Sequence, residues 1–586
     1  MNQNKKTPLF PQDLPLDQGQ RQWLEGYLAG LDAAYAALRA NGFDGTSASG
    51  KPLTILYGSQ TGNAEGLAWQ CAEAAKAHDL AASVVDMDDF DLADLPSIER
   101  LLVITSTYGE GEMPDNGETL WQAIQSDDAP ALEQTFFSVL ALGDTAYEHF
   151  CLAGKQWDAR LAALGGERVS DRVDCDVDFD QAAEAWIEAV LPAISEKGSQ
   201  ETVSAASAAQ KPQGYNRSNP LEASLKSKRV LSGAGSSKEI VHYEIDLADS
   251  GETYEAGDIL HLIPRNRQGL VDELLAAIGA NGNESVSWQG DNHELASLLR
   301  DQLDIRMPSS TFLQALLIAA DDDDLHQRFA QEKGTELDDF LYGKDIVDFL
   351  HAYPDAGFDA QSLVDVLKPI APRAYSISSS HNQHPGEVHL TIGSVRYEHN
   401  ARMHHGVAST WLADEVSAGD TLRCYFAANK HFSVPADDSA PMIMVGPGTG
   451  IAPFRAFLEE RGVREAEGDN WLFFGDRTRE HDYIYADTLE SWQQNGLLTR
   501  LDLAFSRDQA EKVYVQDLMR KEGAELFAWL ERGGYFFVCG DALRMAKDVD
   551  HALHDIIAEH GKMSADDAAD YVAALKQAKR YVRDVY

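Results

Sequence analysis

Short apolar runs alternate with longer stretches of helical periodicity over residues 51–197. LTILY (53–57), LLVIT (101–105) and FFSVLAL (136–142) are each one strand long and apolar on both faces. That order predicts a parallel sheet whose strands return through helices. The alternation resumes over 441–586, with PMIMV, NWLFFG, LTRLDLAFS and GGYFFVCGD as strands, and predicts a second doubly wound α/β domain. Between them, β-like segments from 221 give way to a helical, acidic stretch over about 266–366, including Asp321 to Asp324, and return at 373–440. A helical insertion within an all-β domain, 221–440, explains that order. Residues 198–220, rich in Ser, Ala, Gly and Gln and without period, predict a flexible linker. Residues 1–50 predict a helical leader. Its apolar stripe (Trp23, Leu24, Tyr27, Leu28, Leu31, Tyr35, Leu38) either packs on the body or makes oligomer contacts.

Five cysteines (Cys71, Cys151, Cys175, Cys424, Cys539) lie far apart and form no CxxC pair, which argues against a disulfide framework and against a zinc or iron–sulfur site. Metal chemistry is therefore expected on a partner, with no metal in this chain. The net charge of −46 excludes ordinary nucleic-acid binding. Residues 51–197 hold eight basic and 28 acidic side chains, over 40% of the excess in a quarter of the chain. That concentration suits either a salt-adapted surface or a docking face for a basic partner. No run reaches the ~18 to 20 apolar residues of a membrane span. MNQNKKTPLF lacks the apolar core of a secretory signal, so a cytoplasmic location without membrane attachment is expected.

Three loops follow three strands of the first domain, at the edge where open α/β sheets take ligands. The first, SQTGNAE (59–65), opens a helix. The hydroxyls of Ser59 and Thr61 and the N–H groups freed by Gly62 suit a phosphate at its N-terminus. No Lys or Arg lies between Lys51 and Lys76, so only neutral donors are at hand. The second loop is Ser106, Thr107, Tyr108, Gly109, Glu110 and Gly111. The third runs through Leu142, Gly143, Asp144, Thr145, Ala146 and Tyr147, and on to Cys151. Tyr108 and Tyr147 offer rings to sandwich a flat ligand. The surrounding carboxylates oppose negative charge on it, as befits a low-potential electron donor.

Arg373, Ala374, Tyr375 and Ser376 read as a strand. Arg373 suits a pyrophosphate, and Tyr375 and Ser376 suit a ring. Gly406, Val407, Ala408, Ser409 and Thr410 precede a helix and suit the same pyrophosphate. GPGTGIAPFR (446–455), with Gly448, Thr449 and Gly450 at its centre, lets the backbone approach a dinucleotide. Ser506, Arg507, Lys512, Val513, Tyr514, Val515 and Gln516 place two cations and hydroxyls near a strand end. They suit a 2′-phosphate, hence NADPH over NADH. Cys539 either touches the nicotinamide or is a small buried hydrophobe. Tyr586 either frays or covers a bound ring.

These motifs run in one order: SQTGNAE, TYGEG, LGDTAYEHF, RAYSISSS, GVAST, GPGTGIAPFRAF, SRDQAEKVYVQ, VCGDALRMAKDV and YVRDVY. Over about 51–586 the chain resembles the diflavin reductases. SRDQAEKVYVQDLM, GDALRMAKDVDHAL and the RDVY ending look most like the flavoprotein subunits of NADPH–sulfite reductases. The resemblance implies an α/β multidomain fold: a flavodoxin-like FMN domain, an FAD-binding β-barrel with a helical connecting insertion, and a ferredoxin-reductase-type NADP-binding domain. It implies FMN binding by Ser59, Gln60, Thr61, Gly62, Asn63 and Ala64, by Ser106 to Gly109, and by Leu142 to Cys151, which includes Glu148, His149 and Phe150. It implies FAD binding by Arg373 to Ser376, Thr391, Ile392, Gly393, Tyr397, Gly406 to Ser409 and Tyr586. NADPH falls to Gly448, Thr449, Gly450, Ser506, Arg507, Lys512 to Gln516 and Asp548. The resemblance further implies that Ser376, Cys539 and Asp584 assist hydride transfer, with Tyr586 over the flavin. The implied partner is a haemoprotein (beta) subunit with sirohaem and an iron–sulfur cluster, and a homo-oligomer through the N-terminal region is expected.

Tyr108 departs from the sulfite enzymes, where Gln is frequent, and matches the cytochrome reductases. That leaves open a reductase for another haem protein such as a monooxygenase; the alternative of another class is a non-catalytic flavin-binding scaffold or sensor, against which the FMN, FAD and nicotinamide motifs in one chain weigh.

Overall fold

The computed structural model describes residues 49–59, 62–109, 111–126, 129–145, 149–177, 179–199, 203–204, 214–217, 219–320, 322, 325, 340–542 and 544–586. The helical leader read over 1–50 lies outside them, apart from Ser49 and Gly50. Among the described residues no helix is long and apolar enough to cross a membrane.

The first unit is a parallel sheet. Its strands are β1 (Ser49–Gly58), β2 (Leu80–Asp86), β3 (Arg100–Ser106), β4 (Phe136–Leu142), β5 (Glu167–Arg168) and β6 (Val173–Cys175). The order is β2-β1-β3-β4-β5, with β6 also on β4. Leu53, Ile55 and Tyr57 point into one core, closed by the helices Asn63–Ala75 and Asp180–Ser195. Leu56 enters the other, beneath Trp121 and Trp157. Burial on both faces is why the strands read as unbroken apolar runs. Inside the stretch read as linker, β7 (Val203–Ser204) pairs antiparallel with Ser49 and Gly50.

The second unit is an antiparallel sheet of β8 (Leu221–Val230), β9 (Ile240–Asp246), β10 (Ile259–Ile263), β15 (Arg373–Ser376), β16 (Glu387–Gly393) and β19 (Thr421–Ala427). The order is β15-β10-β19-β8-β9-β16, and a bridge from Ile377 to Leu390 brings its two edges together. The insertion has its own core, from Leu274 through Phe312 to Phe349 and Leu363. It also contains a hairpin that helical periodicity did not foresee, β11 (Ser285–Trp288) and β12 (Asp291–Glu294). Its two-residue turn, Gln289 and Gly290, has φ of 51° and 88°, the left-handed pair that a tight hairpin requires. Two further short pairs are β13 (Leu303–Asp304) with β14 (Lys368–Pro369), and β17 (Arg396–His399) with β18 (Arg402–His405).

The third unit is a parallel sheet of β20 (Met442–Val445), β21 (Asn470–Asp476), β22 (Arg500–Phe505), β23 (Tyr535–Gly540) and β24 (Tyr581–Val585), ordered β22-β21-β20-β23-β24. One core lies on each face. The strand order reverses between β20 and β23, which opens a crevice at their C-terminal ends.

A buried polar network joins the second and third units. His242 Nδ1 lies 2.8 Å from Tyr485 Oη, which lies 2.6 Å from Thr391 Oγ1. Ser380 donates to Glu459 and Glu460 of the helix Ala452–Val463, from N–H at 3.0 Å and from Oγ at 2.6 Å. Arg455 pairs with Glu459 at 2.7 Å and donates to Ser378 O. The first unit docks on the other two through fewer contacts. Lys368 meets Asp176 at 2.5 Å, His431 meets Asp88 at 3.4 Å, Lys579 meets Asp88 at 2.5 Å, and the Tyr108 hydroxyl donates to Val585 O.

Candidate functional site

The ends of β1, β3 and β4 meet at one edge of the first sheet. There Ser59 donates its N–H to Asn116 Oδ1 at 2.8 Å and accepts the Ala64 N–H on its hydroxyl at 3.2 Å. Gly62, at φ 80°, caps the helix that Asn63 begins, and its carbonyl accepts the Gly66 N–H at 2.9 Å. Gln60 and Thr61 lie outside the described residues. Thr107 ties the second loop to the third by donating its N–H to Leu142 O at 2.9 Å. The loops surround a cavity of about 450 Å³ lined by Asn63, by Ser106 to Gly109, by Leu142 to Asp144 and by His149 to Cys151. Thr145 faces a neighbouring, larger cavity, and Ala146, Tyr147 and Glu148 are outside the described residues. A Cβ on Gly143 would sit 2.8 Å from Cys151 N, so the loop needs glycine there. Cys151 itself is buried, with φ 55°, at the start of the next helix. A slot at strand ends, with an aromatic wall and a neutral helix N-terminus beside it, fits a flat ring carrying a phosphate.

The far wall of that slot belongs to the other units: Ala371, Pro372, Ala374 and Tyr425 from the second, and Ala542, Val585 and Tyr586 from the third. Sequence motifs gave no sign of this sharing, because motif order does not report domain docking.

Arg373 and Tyr397 line the larger cavity, of about 940 Å³. It also takes Arg306, Ser309, Lys344 and Lys368, which sequence reasoning missed because they lie in or beside the helical insertion and form no motif. Arg306 donates to Tyr397 Oη, which in turn donates to Gly343 O at 3.1 Å. The Tyr397 ring stacks on His404, centroids 5.2 Å apart. Four cations around an open cavity fit a dinucleotide's phosphates. Thr391, Ile392 and Gly393 line neither cavity, and the Thr391 hydroxyl faces Tyr485. Gly406 caps the helix Val407–Asp414, in which Val407, Ala408 and Ser409 are buried; Ser409 Oγ accepts the Val395 N–H at 3.2 Å. Asp345, Asp348 and His404 place potential ligand atoms within 4.8 Å of one another. Arg402, at 2.8 and 2.7 Å from the two carboxylates, already supplies the positive charge there.

Where the second and third units meet, Ser376 Oγ donates to Asp584 Oδ2 at 2.6 Å, and Cys539 Sγ lies 3.8 Å from the same oxygen. Cys539 is buried; burial first, then the Asp584 charge, pushes its thiol well up, so it stays protonated. Its burial fits the reading of this cysteine as a small buried hydrophobe. Gly450 presses on Cys539 O, where a Cβ would come within 2.1 Å. Tyr586 Oη lies 3.0 Å from Thr449 Oγ1, and its backbone N–H donates to Gly540 O at 3.0 Å, so the terminal residue is held rather than frayed.

A third cavity, of about 480 Å³, opens at the C-terminal ends of β20 to β22. Gly448, Ser506, Arg507, Lys512, Tyr514, Val515, Gln516 and Asp548 line it, while Val513 packs on the core behind. Gln516 donates to Asp548 at 3.2 Å. Arg477 and Arg544 also face the cavity, and sequence reasoning missed both. This cationic mouth fits a phosphorylated ribose.

Three family models match in sequence order: flavodoxin over residues 55–186, FAD binding domain over 214–411, and oxidoreductase NAD-binding domain over 444–551. The chain is 41% identical to the sulfite reductase [NADPH] flavoprotein alpha-component of Bacillus subtilis, covering 97% of this chain and 96% of that protein. It is 40% identical to the protein of that name from Vibrio parahaemolyticus (97% and 93% covered), and 39% identical to that from Yersinia enterocolitica (99% and 98% covered).

Proposed function

The chain belongs to the family of NADPH–sulfite reductase flavoprotein alpha-components, and on that premise we propose that it carries electrons from NADPH through FAD and FMN to a haemoprotein (beta) subunit with sirohaem and an iron–sulfur cluster, which reduces sulfite to sulfide. The observation that carries the reading is the shared slot, in which the loops of the first unit face Ala374, Tyr425 and Tyr586 across one cavity. A flavin held by the first-unit loops and one held by the second unit would face each other across that shared wall and supply one-electron transfer between them.

FMN falls to Ser59 to Ala64, Ser106 to Gly109 and Leu142 to Cys151. FAD falls to Arg373 to Ser376, Tyr397, Gly406 to Ser409 and Thr391 to Gly393, joined by Arg306, Ser309 and Lys344. NADPH falls to Gly448 to Gly450, Ser506, Arg507, Lys512 to Gln516 and Asp548, joined by Arg477 and Arg544. When bound, the flavins supply the step from two-electron to one-electron chemistry. The chain supplies placement. Asp584 holds Ser376 and Cys539 at the point where β15, β23 and β24 meet, and Tyr586 covers that point from Thr449. Asp584 also favours positive charge on a nicotinamide ring as its hydride leaves. The apolar stripe over residues 23–38 supports assembly of flavoprotein copies through the N-terminal region, and the expected location is the cytoplasm, away from membranes.

The test is anaerobic mixing of the flavin-loaded chain with NADPH, and separately with NADH, followed by addition of the haem subunit and a sulfide assay. Bleaching by NADPH together with sulfide production supports the reading. Bleaching with electrons passed only to another haem protein would move the acceptor to a monooxygenase. No bleaching with two flavins bound would leave a scaffold.

A further inference from the structure

The slot assigned to FMN has walls of unequal charge. Among the described residues the first unit gives it Asp144 and no Lys or Arg, the segment just ahead of β8 gives it the guanidinium of Arg217, and the third unit gives it the carboxylate of Asp541. Arg217 reaches across the seam to Asp180 at 3.3 Å and lies over the Phe179 ring.

A second cation crosses nearby. Lys368 of β14 lines the larger cavity, and its ammonium meets Asp176 at 2.5 Å, with both side chains largely buried (15% and 13% exposed). Asp176 also holds the third loop, accepting the Thr145 N–H at 3.1 Å and the Thr145 hydroxyl, and its own neighbour's N–H from Val177 at 2.8 Å. Burial alone would push Asp176 up; Lys368 and Thr145 outweigh burial and hold the carboxylate below its ordinary range. When the first unit undocks, Asp176 keeps its contacts to the loop and loses its counter-charge, and Arg217 leaves the slot.

We propose that Arg217 and Lys368 make FMN's electron affinity depend on docking: their positive charge favours the reduced ring while the first unit is docked, and its withdrawal makes the same ring a stronger reductant once the unit swings away. Each electron leaves the FAD side and arrives on FMN while the cations are near, and moves on to the acceptor after they have gone. A charge separation in a partly buried seam is screened far less than on an open surface. The expected effect is about a three- to tenfold change in the electron partition between the flavins, where tenfold is ~59 mV for one electron. The proposal rests on the two-flavin reading above.

The experiment is spectroelectrochemical titration of the full flavin-loaded chain. Arg217→Gln and Lys368→Gln are expected to lower the FMN potential, Asp176→Asn to raise it, and Lys368→Arg to restore the wild-type value. High salt should lower the wild-type potential and leave the Gln variants nearly unmoved. Loss of fold would not shift potentials in opposite directions according to charge. FMN potentials that stay fixed, or move in one common direction, with both flavins bound would overturn the proposal. If Lys368→Gln loses FAD, Arg217→Gln decides, because Arg217 lines the FMN slot alone. A chain that never binds two flavins would instead defeat the reading beneath it.

Discussion

The Ser376 hydroxyl donates to Asp584 Oδ2 at 2.6 Å, joining a strand of the second unit to the last strand of the third. Cys539 approaches the same oxygen, so one carboxylate aligns two side chains at the junction of the two sheets. Asp584→Asn keeps the shape and removes the charge. It is expected to slow NADPH-driven flavin bleaching about 10²-fold with both flavins retained. Rapid mixing without oxygen measures this, and an unchanged rate would remove Asp584 from hydride transfer.

Arg507 and Lys512 flank the third cavity, where an added ribose phosphate is the feature that separates the two nicotinamide dinucleotides. A hydrogen bond to a charged group contributes about 1.5–3 kcal/mol. Arg507→Ala or Lys512→Ala should therefore raise KM for NADPH by roughly 10- to 100-fold and leave KM for NADH nearly unchanged. Equal losses for both would mean that these cations bind the shared pyrophosphate.

His242 and His389 are buried between the second and third units. Burial, then the charge of Arg455, pushes His242 down to about 2 and His389 to about 3, from 6.5. Both stay neutral in the fold, whereas in the unfolded chain they take up protons below pH ~6.5. Their contribution is present in full above that pH and falls as pH drops toward 3, by up to ~1.4 kcal/mol per pH unit for each. Denaturant midpoints should therefore decline from pH ~6.5 downward, before the carboxylates titrate. His242→Gln and His389→Gln should flatten the decline, and a flat wild-type profile would show that the unfolded chain protects these rings.

Lys579 and His431 hold Asp88 across the seam. Lys579→Glu should open the molecule, seen as a larger radius of gyration in small-angle scattering, and slow electron passage to FMN. Salt should act on the wild type in the same direction, because exposed pairs are screened.

The sheets were legible in sequence because their strands are buried on both faces: Leu53, Ile55 and Leu56 read as one apolar run because all three are covered. Glycine-rich loops marked the strand ends, since only those positions tolerate the backbone approach seen at Gly143 and Gly450. Arg306 and Lys344 left no trace, because each acts by spatial convergence and sits in an ordinary local context. The turn at Gln289–Gly290 was hidden for another reason. A two-residue hairpin inside a helical region has too few alternating positions to overcome the surrounding period.

Arg455, Glu459 and Tyr485 project from the third unit into partners on the second, and parting the two would break these bonds and bare the apolar surface that surrounds them. The count of folds and the count of melting units therefore differ. Heating should give two calorimetric transitions, one for the unit ahead of the linker and one for everything after it, because residues 221–586 lose their shape as a single block.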